Sequence, residues 1–292
     1  MMKMLVVGDF QGVFPAKLKN KIKKENFELV VGVGDYGGIM DWKPFIFDIF
    51  KRLKRGDERI SPEDFYGKKK FKAILKKDYK MGKMVLTELN KIGKPVVLIF
   101  GNTDDEWYSH PLYKRQKAKK KALNYLKKLK NIKVITYGKT THNDFDFIGA
   151  GGYMDIEAYY KKKTFKAKSE RDNIKRKIKI NRKMRGRFFK LLRKAHISKR
   201  EKIFVYHFPP YGVFDIIKDK KNPMDGESAG IKYFSEAVKK YKPSLVLCGH
   251  MHEYRGIKKI YGVPVINSGD AGEGKAAIVE VLNGKTKVKF IN

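Results

Sequence analysis

The sequence predicts a layered α/β fold in one domain, and three observations support this prediction. Short apolar runs rich in β-branched residues recur along the 292-residue chain, and lysine-rich amphipathic stretches separate many of them. The chain is 42% hydrophobic, which is enough for a large core. No Gly/Ser-rich linker and no solenoid-type repeat divides it. We therefore expect a single domain over residues 1–292.

Five apolar runs predict buried strands, at 4–8, 29–34, 96–101, 204–207 and 245–250. Amphipathic periodicity predicts helices between many of them, at 15–26, 81–93, 113–130 and 231–241. Later apolar runs are spaced like hairpins, at 147–152, 263–267, 276–282 and 286–291. These later runs predict a second, partly antiparallel sheet.

Two segments are predicted to be insertions into this plan. Residues 41–80 mix aromatics and lysines around Gly56 and Pro62 and contain no clear strand. Residues 158–200 contain 19 Lys or Arg and two acids, so this stretch supplies 17 of the 36 net positive charges. We expect the second insertion to be mostly helical.

The charge and the cysteine content exclude several classes of protein. A net charge of +36 predicts attraction to polyanions, although the lysine-rich proteome of a thermophile is an alternative explanation. The single cysteine, Cys248, excludes an internal disulfide and a Cys-rich zinc site. No apolar run reaches the roughly 18 to 20 residues that span a bilayer, and the start of the chain resembles a strand rather than a signal peptide. We expect a cytoplasmic protein without a membrane partner.

Side chains that commonly bind metals follow the five predicted strands at the points where the strands end. They are Asp9 and Gln11, Asp35, Asn102, His207, and finally His250 and His252. Neighbouring glycines let the backbone turn sharply and let a ligand approach closely. Because side chains just past the carboxyl ends of neighbouring strands converge in one crevice, we expect these residues to meet.

The combination of carboxylates, imidazoles and an amide oxygen suits divalent ions of intermediate hardness. We expect two such ions, with Mn²⁺ favoured and Fe²⁺, Ni²⁺, Co²⁺ and Zn²⁺ as alternatives. Two ions about 3.5 to 4 Å apart could clamp a phosphoryl group and activate a bridging water for in-line attack. Each motif alone has a simpler explanation, because Gly-Asp after a strand is often a turn. The ordered set of five motifs favours a metal centre.

These motifs resemble, in order and spacing, those of the calcineurin-like metallophosphoesterase superfamily, which run GDxH, GDxxD, GNH(D/E), H and GHxH. The resemblance covers essentially the whole chain and points to members like the prokaryotic phosphodiesterases. It implies a four-layer α/β/β/α sandwich of mixed sheets with a dinuclear centre at the strand ends. It also implies that Asp35 bridges two metals, the first held with Asp9 and His252 and the second with Asn102, His207 and His250. Asn102, His207 and Asp35 are the predicted catalytic residues.

Three positions depart from the motifs of that superfamily. Gln11 replaces a His ligand of the first metal, and we keep it as a predicted but weaker ligand. Gly38 replaces the second Asp of GDxxD, which supports the ligands through hydrogen bonds. Thr103 replaces the His that stabilises the transition state or protonates the leaving oxygen, and a threonine cannot be that acid.

Other polar residues near these motifs are given lesser roles. Asp104 is expected to cap or orient the loop that carries Asn102. His110, His142 and His196 lie outside the strand-end pattern and are expected to be structural or merely exposed. His110 is the one that could reach the cleft and replace the missing acid.

The leading functional hypothesis is hydrolysis of a phosphodiester or phosphomonoester by a two-metal-activated hydroxide. Nucleotides or nucleic acid are the preferred substrates, because the basic segment 158–200 also carries Phe165, Phe188 and Phe189, and aromatic rings can stack on bases. The alternative is that these phenylalanines pack on the core of a lysine-solvated helical pair.

Two rival hypotheses remain open. A protein serine/threonine phosphatase belongs to the same superfamily, but Thr103 argues against it. A catalytically weak metal-binding scaffold is motivated by Gln11, Gly38 and Thr103 together. The sequence leaves the physiological metal and the oligomeric state open.

Overall fold

The computed structural model of the protein describes residues 1–109, 117–152, 168–282 and 284–292. Its strands are β1 (Met2–Val7), β2 (Leu29–Gly32), β3 (Val96–Leu98), β4 (Ile132–Val134), β5 (Lys139–His142), β6 (Phe145–Ala150), β7 (Glu201–Tyr206), β8 (Leu245–Cys248), β9 (Gly256–Ile260), β10 (Val263–Asn267), β11 (Ala276–Leu282) and β12 (Lys285–Ile291). Its α-helices are α1 (Ala16–Ile22), α2 (Lys43–Arg55), α3 (Pro62–Tyr66), α4 (Lys68–Lys91), α5 (Lys120–Leu126), α6 (Lys168–His196) and α7 (Lys232–Tyr241).

The strands form two six-stranded mixed sheets. The first has the order β12-β11-β1-β2-β3-β4, and the second has the order β5-β6-β7-β8-β10-β9. The centre of each sheet is parallel, whereas β11 and β12 in the first sheet and β5 and β9 in the second pair antiparallel. The sequence prediction assigned all the later strands to one additional sheet, which is wrong for the last two. The β11–β12 hairpin joins the first sheet beside β1, because Met2 to Val6 pair with Val281 to Ala277.

Three hydrophobic clusters show how the layers pack. The inter-sheet cluster takes alternate side chains from both sheets, such as Met4, Val31, Val205, Leu247 and Val279. Clusters on the outer faces join α1, α4 and α5 to the first sheet and α6 and α7 to the second. Strands that are covered on both faces are apolar throughout, which explains their uninterrupted runs in the sequence. The predicted α/β/β/α sandwich is confirmed.

The segment 41–80 is helical. Pro44 lies in the first turn of α2, and Gly56 ends this helix in the left-handed conformation with φ 75°. Ser61 caps α3 by accepting a hydrogen bond from the backbone N–H of Asp64 at 3.1 Å. The helix predicted at 81–93 begins earlier, at Lys68, so α4 continues through residue 80 without a break.

Helix α6 is much longer than the strand it leads into. Phe188 packs against Tyr206, the last residue of β7, with 5.9 Å between ring centroids. Because α6 runs antiparallel to β7, the 20 residues before Phe188, about 30 Å of helix, extend past the carboxyl edge of the sheet. There the Arg59 guanidinium pairs with the buried Glu170 carboxylate at 2.9 Å. The first ten residues of the predicted insertion, 158–167, lie outside the described part of the chain.

None of the described helices combines the length and the apolarity that crossing a bilayer requires.

Candidate metal centre

The predicted ligands lie on tight turns at the carboxyl ends of strands from both sheets. Asp9, Asp35 and His250 have φ angles of 56°, 55° and 68°, in a region that side chains other than glycine seldom adopt. Each of them follows the end of a strand closely, so the left-handed turn redirects the chain across the sheet edge. Such strained positions concentrate at functional sites. The backbone thereby presents these three side chains to one space between the sheets.

Asp35, His207 and His250 form the tightest group of potential metal ligands. One donor atom from each lies within 4.8 Å of those of the other two. The Asp35 Oδ2 to His207 Nε2 distance is 3.4 Å, and the Asn102 Oδ1 to His207 Nε2 distance is 2.8 Å. No other trio of His, Cys, Asp or Glu is this close among the residues that the structure describes.

The surroundings of His207 indicate that a cation fits beside its Nε2 atom. Its Nδ1 atom lies 2.9 Å from the carbonyl oxygen of Val33, so the Nδ1–H donates there. Its Nε2 atom faces two more oxygens, which requires a proton or a metal ion at that position. Burial lowers the pKa of His207, but the adjacent Asp35 carboxylate outweighs burial and raises the pKa to about 9. A divalent ion would replace that proton.

Asp9 and His252 form a second pair on the other side of the centre. The backbone N–H of His250 donates to both Asp9 oxygens, at 3.1 and 2.9 Å, which fixes the orientation of this carboxylate. His252 Nε2 lies 3.6 Å from Asp9 Oδ1. Burial lowers the pKa of His252, but the hydrogen bond and charge of Asp9 raise it to about 9. Asp9 is 1% exposed, and a cation shared with His252 would compensate its buried charge.

Gln11 lies on the far side of the His252 ring. Its Nε2 atom is 2.9 Å from His252 Nδ1 and 2.6 Å from Asp270 Oδ2. Asp270 was not among the residues predicted from the sequence, although Gly269 and Asp270 follow the end of β10 by two and three residues and repeat the Gly-Asp pattern of the other motifs.

Asp104 ties together the two loops that carry Asp35 and Asn102. Its carboxylate accepts four backbone N–H bonds, from Asp35, Tyr36, Gly37 and Gly101, at 2.8 to 3.2 Å. This geometry agrees with the orienting role expected from the sequence. Burial, followed by the nearby Asp35 charge, raises the pKa of Asp104 to about 7.

Asp78 is a further buried carboxylate that sequence reasoning missed. It accepts hydrogen bonds from the backbone N–H of Gly38 at 2.7 Å and from the Trp42 indole at 2.9 Å. It therefore anchors the Asp35 loop to the helical segment 41–80. Its place in the middle of an amphipathic helix gave no signal in the sequence.

The remaining sequence candidates lie away from the centre or outside the described residues. His142 is on the edge strand β5, and His196 ends α6 with its ring 5.4 Å from that of Tyr241. His110 lies outside the described residues. Cys248 is buried, and burial raises the pKa of its thiol well above its usual value, which agrees with a structural role.

The fold and the potential metal ligands together define a class of protein: a two-sheet α/β/β/α fold with buried carboxylates and neighbouring imidazoles at the carboxyl ends of its strands. A family model for calcineurin-like phosphoesterases matches residues 2–254. The chain belongs to this family, and the resemblance found in its motifs is confirmed. It is therefore a metal-dependent phosphoester hydrolase.

Two solved structures share the fold at low sequence identity. One crystal structure covers 100% of this chain and 99% of its own, with a TM-score of 0.63 and 17% identity. The crystal structure of TT1561 of Thermus thermophilus covers 99% of this chain and 98% of its own, with a TM-score of 0.50 and 14% identity. The crystal structure of the phosphopantetheinyl hydrolase PptH from Mycobacterium tuberculosis covers 93% of this chain and 90% of its own, with a TM-score of 0.48 and 12% identity. No curated protein matches the chain significantly.

Proposed function

We propose that the protein hydrolyses phosphodiester or phosphomonoester bonds with two divalent ions. Asp9, Asp35 and His252 would hold the first ion, and Asn102, His207 and His250 the second, with Asp35 shared. The observation that carries this proposal is the convergence of Asp35, His207 and His250 within 4.8 Å at buried strand ends. Mn²⁺ is the favoured ion, because mixed carboxylate and imidazole ligands suit metals of intermediate hardness.

The protein's own residues would prepare the centre for catalysis. Bound ions would lower the pKa of a water molecule and neutralise charge on the phosphoryl oxygens. The Val33 carbonyl holds the Nδ1 proton of His207 and so leaves Nε2 as the ligand atom. The His250 backbone N–H fixes Asp9, and the Thr103 backbone N–H donates to Asp35 Oδ1 at 3.0 Å. The Thr103 side chain supplies no acid, which favours substrates with good leaving groups or with a proton of their own.

The first experiment compares bis-p-nitrophenyl phosphate with p-nitrophenyl phosphate across Mn²⁺, Ni²⁺, Co²⁺, Zn²⁺ and Mg²⁺. The variant Asp35→Asn should lose roughly a thousandfold in kcat/KM, because it removes the shared carboxylate. Asp146→Asn is the matched control, since Asp146 is also buried but lies on β6 among Thr141 and the start of β7. Equal activity of wild type and Asp35→Asn would overturn the proposal, and a wild type that binds ions but shows no activity with any of them would favour the scaffold hypothesis.

Nucleic acid is the substrate class that we propose, and the charge of α6 supports it. Twelve of the 13 basic side chains of this helix are exposed, and its N-terminal part extends past the sheet edge where the centre lies. Phe188 is fully buried and Phe189 packs partly against the same core, so the base-stacking role suggested by the sequence loses its support there. Phe165 lies outside the described residues. Phosphate contacts, rather than base stacking, would then provide the affinity.

The substrate class is tested by salt-dependent binding of a labelled DNA or RNA duplex. Changing Lys175, Lys179, Arg182 and Lys183 to Gln should flatten the slope of log Kd against log salt by about three to four units. The matched control changes four exposed lysines at sheet edges, Lys258, Lys259, Lys285 and Lys287, and removes the same charge. Equal slopes for the two variants would contradict a role for α6. Phosphate release from a phosphoserine peptide with no duplex binding would favour a protein phosphatase.

A further inference from the structure

The Asp270 carboxylate lies beside the candidate metal centre and is 2% exposed. Its Oδ1 atom caps the short helical turn Ala271–Glu273 by accepting the Glu273 N–H at 3.1 Å. Its Oδ2 atom faces Gln11 Nε2 at 2.6 Å and His252 Nδ1 at 3.6 Å. The following backbone is bound to the Asp9 loop, because the N–H of Ala271 donates to the carbonyl of Gly8 and the N–H of Gly272 to that of Asp9. Asp270 is thus held rigidly against two predicted ligands.

The two ring nitrogens of His252 face different groups. Nε2 faces Asp9 Oδ1 at 3.6 Å, and Nδ1 faces Gln11 and Asp270. If Nε2 binds an ion together with Asp9, it carries no proton, so the proton of the neutral ring is on Nδ1. That proton needs an acceptor on the Gln11 and Asp270 side of the ring.

Gln11 does not provide this acceptor in the arrangement observed. The 2.6 Å contact with Asp270 Oδ2 identifies the facing Gln11 atom as its amide nitrogen, because two oxygens would repel at that distance. The same nitrogen faces His252 Nδ1, so it presents a donor to a donor. The acceptor within reach is Asp270 Oδ2, which a shift of a few tenths of an ångström would bring into hydrogen-bond distance.

We propose that Asp270 is a positioning residue of the metal centre, which accepts the Nδ1 proton of His252 and directs Nε2 towards Asp9. Gln11 then braces Asp270 through its amide instead of binding the ion. Carboxylates that accept the second N–H of a ligating His fix the ring and raise its basicity. This inference rests on the proposed assignment of His252 to the first ion.

Asp270→Asn is the decisive variant. It preserves the volume and the Oδ1 cap on Glu273 but replaces the Oδ2 acceptor with a donor. In calorimetric titrations of metal-free protein with Mn²⁺, we expect two sites in the wild type. In the variant we expect a roughly 10- to 100-fold loss of affinity at one site and little change at the other.

A second measurement determines which nitrogen of the His252 ring carries the proton, and it uses the wild-type protein. In zinc-loaded wild-type protein, the ¹⁵N shifts of His252 should report a proton on Nδ1 and a metal on Nε2. A metal on Nδ1 would overturn the proposal, because Asp270 would then face the ion and not the proton.

Two further variants test whether Asp270 positions His252 or whether Gln11 binds the ion instead. Gln11→Ala should weaken the first site much less than Asp270→Asn, whereas the reverse order would restore Gln11 as the ligand and overturn the proposal. Asp146→Asn should leave both affinities unchanged. Two wild-type sites with unchanged affinity in Asp270→Asn would reject only the role of Asp270. A wild type that binds no ion would reject the two-metal centre itself.

Discussion

Gly38 and Thr103 fill one space beside the metal centre. A Cβ atom at Gly38 would lie 2.5 Å from Thr103 Oγ1 and 2.7 Å from Thr103 Cβ, and Gly38 has a φ of 76°. These residues are two of the three departures from the superfamily motifs. The two departures are therefore coupled. A side chain at position 38 would overlap the Thr103 side chain, so Thr103 requires a glycine at position 38.

Restoring the superfamily's aspartate at position 38 should therefore harm this protein. Gly38→Asp should lower the free energy of unfolding by roughly 1 to 3 kcal/mol, because the new side chain overlaps Thr103. Thr103→Gly should recover part of that loss in the double variant. Denaturant unfolding of the two single variants and the double variant measures the coupling. Strictly additive effects would show that the two residues are independent.

Loss of the Asp104 carboxylate should loosen both ligand loops. Asp104→Ala leaves four buried backbone N–H groups without their acceptor, so we expect a loss of roughly 3 kcal/mol or more in unfolding free energy. Asp215→Ala is the comparison, because the Asp215 carboxylate accepts one backbone N–H, from Gly212, and the Ser228 hydroxyl. A smaller effect at Asp104 than at Asp215 would contradict this interpretation.

Metal binding should compete with protons at two histidines. The pKa values of His207 and His252 are raised to about 9 in the metal-free protein, so both rings are charged at pH 7 and must lose protons to bind an ion. The apparent affinity should rise as the pH increases from about 6.5 towards 9. Calorimetry in buffers of different ionisation enthalpy should detect proton release at pH 7. Affinity that is independent of pH over this interval would contradict the prediction.

The Arg59–Glu170 ion pair should anchor the start of α6. The side chains are 22% and 8% exposed, so Arg59→Ala leaves a buried carboxylate without its cation and should cost about 1 to 2 kcal/mol. Hydrogen exchange should accelerate at residues 168–180. Arg55→Ala is the control, because its pair with Asp57 is 60% and 36% exposed and should contribute little. Equal exchange in the two variants would indicate that α6 is held by other contacts.

The sequence predicted the strands well, and it singled out candidate ligands at their ends, because both depend on local signals. A strand buried on two faces is a continuous apolar run, and the turn after it needs glycine and polar residues, so Asp9, Asp35 and His250 could be found directly. The sheet assignment of β11 and β12 was wrong because hairpin spacing does not specify which sheet edge a hairpin joins.

Residues that act through distant partners gave no comparable signal. Asp78 lies in the middle of a helix and accepts hydrogen bonds from Gly38 and Trp42, which are distant in sequence and meet it only in the folded structure. Asp270 did follow a strand with the same Gly-Asp pattern, but its partners Gln11 and His252 are 241 residues apart. Such pairings depend on the closure of the two sheets and not on the local chain.

The length of α6 has a consequence for the conditions in which the protein is stable. Its 12 exposed cations lie along a single helix with two acids, so neighbouring like charges repel one another at the three- and four-residue spacing of the helix. Dissolved anions that gather along the helix relieve this repulsion. Added salt or a polyphosphate should therefore raise the melting temperature, and dilution into pure water should lower it. The stability of the folded protein therefore depends on the dissolved ions that surround α6.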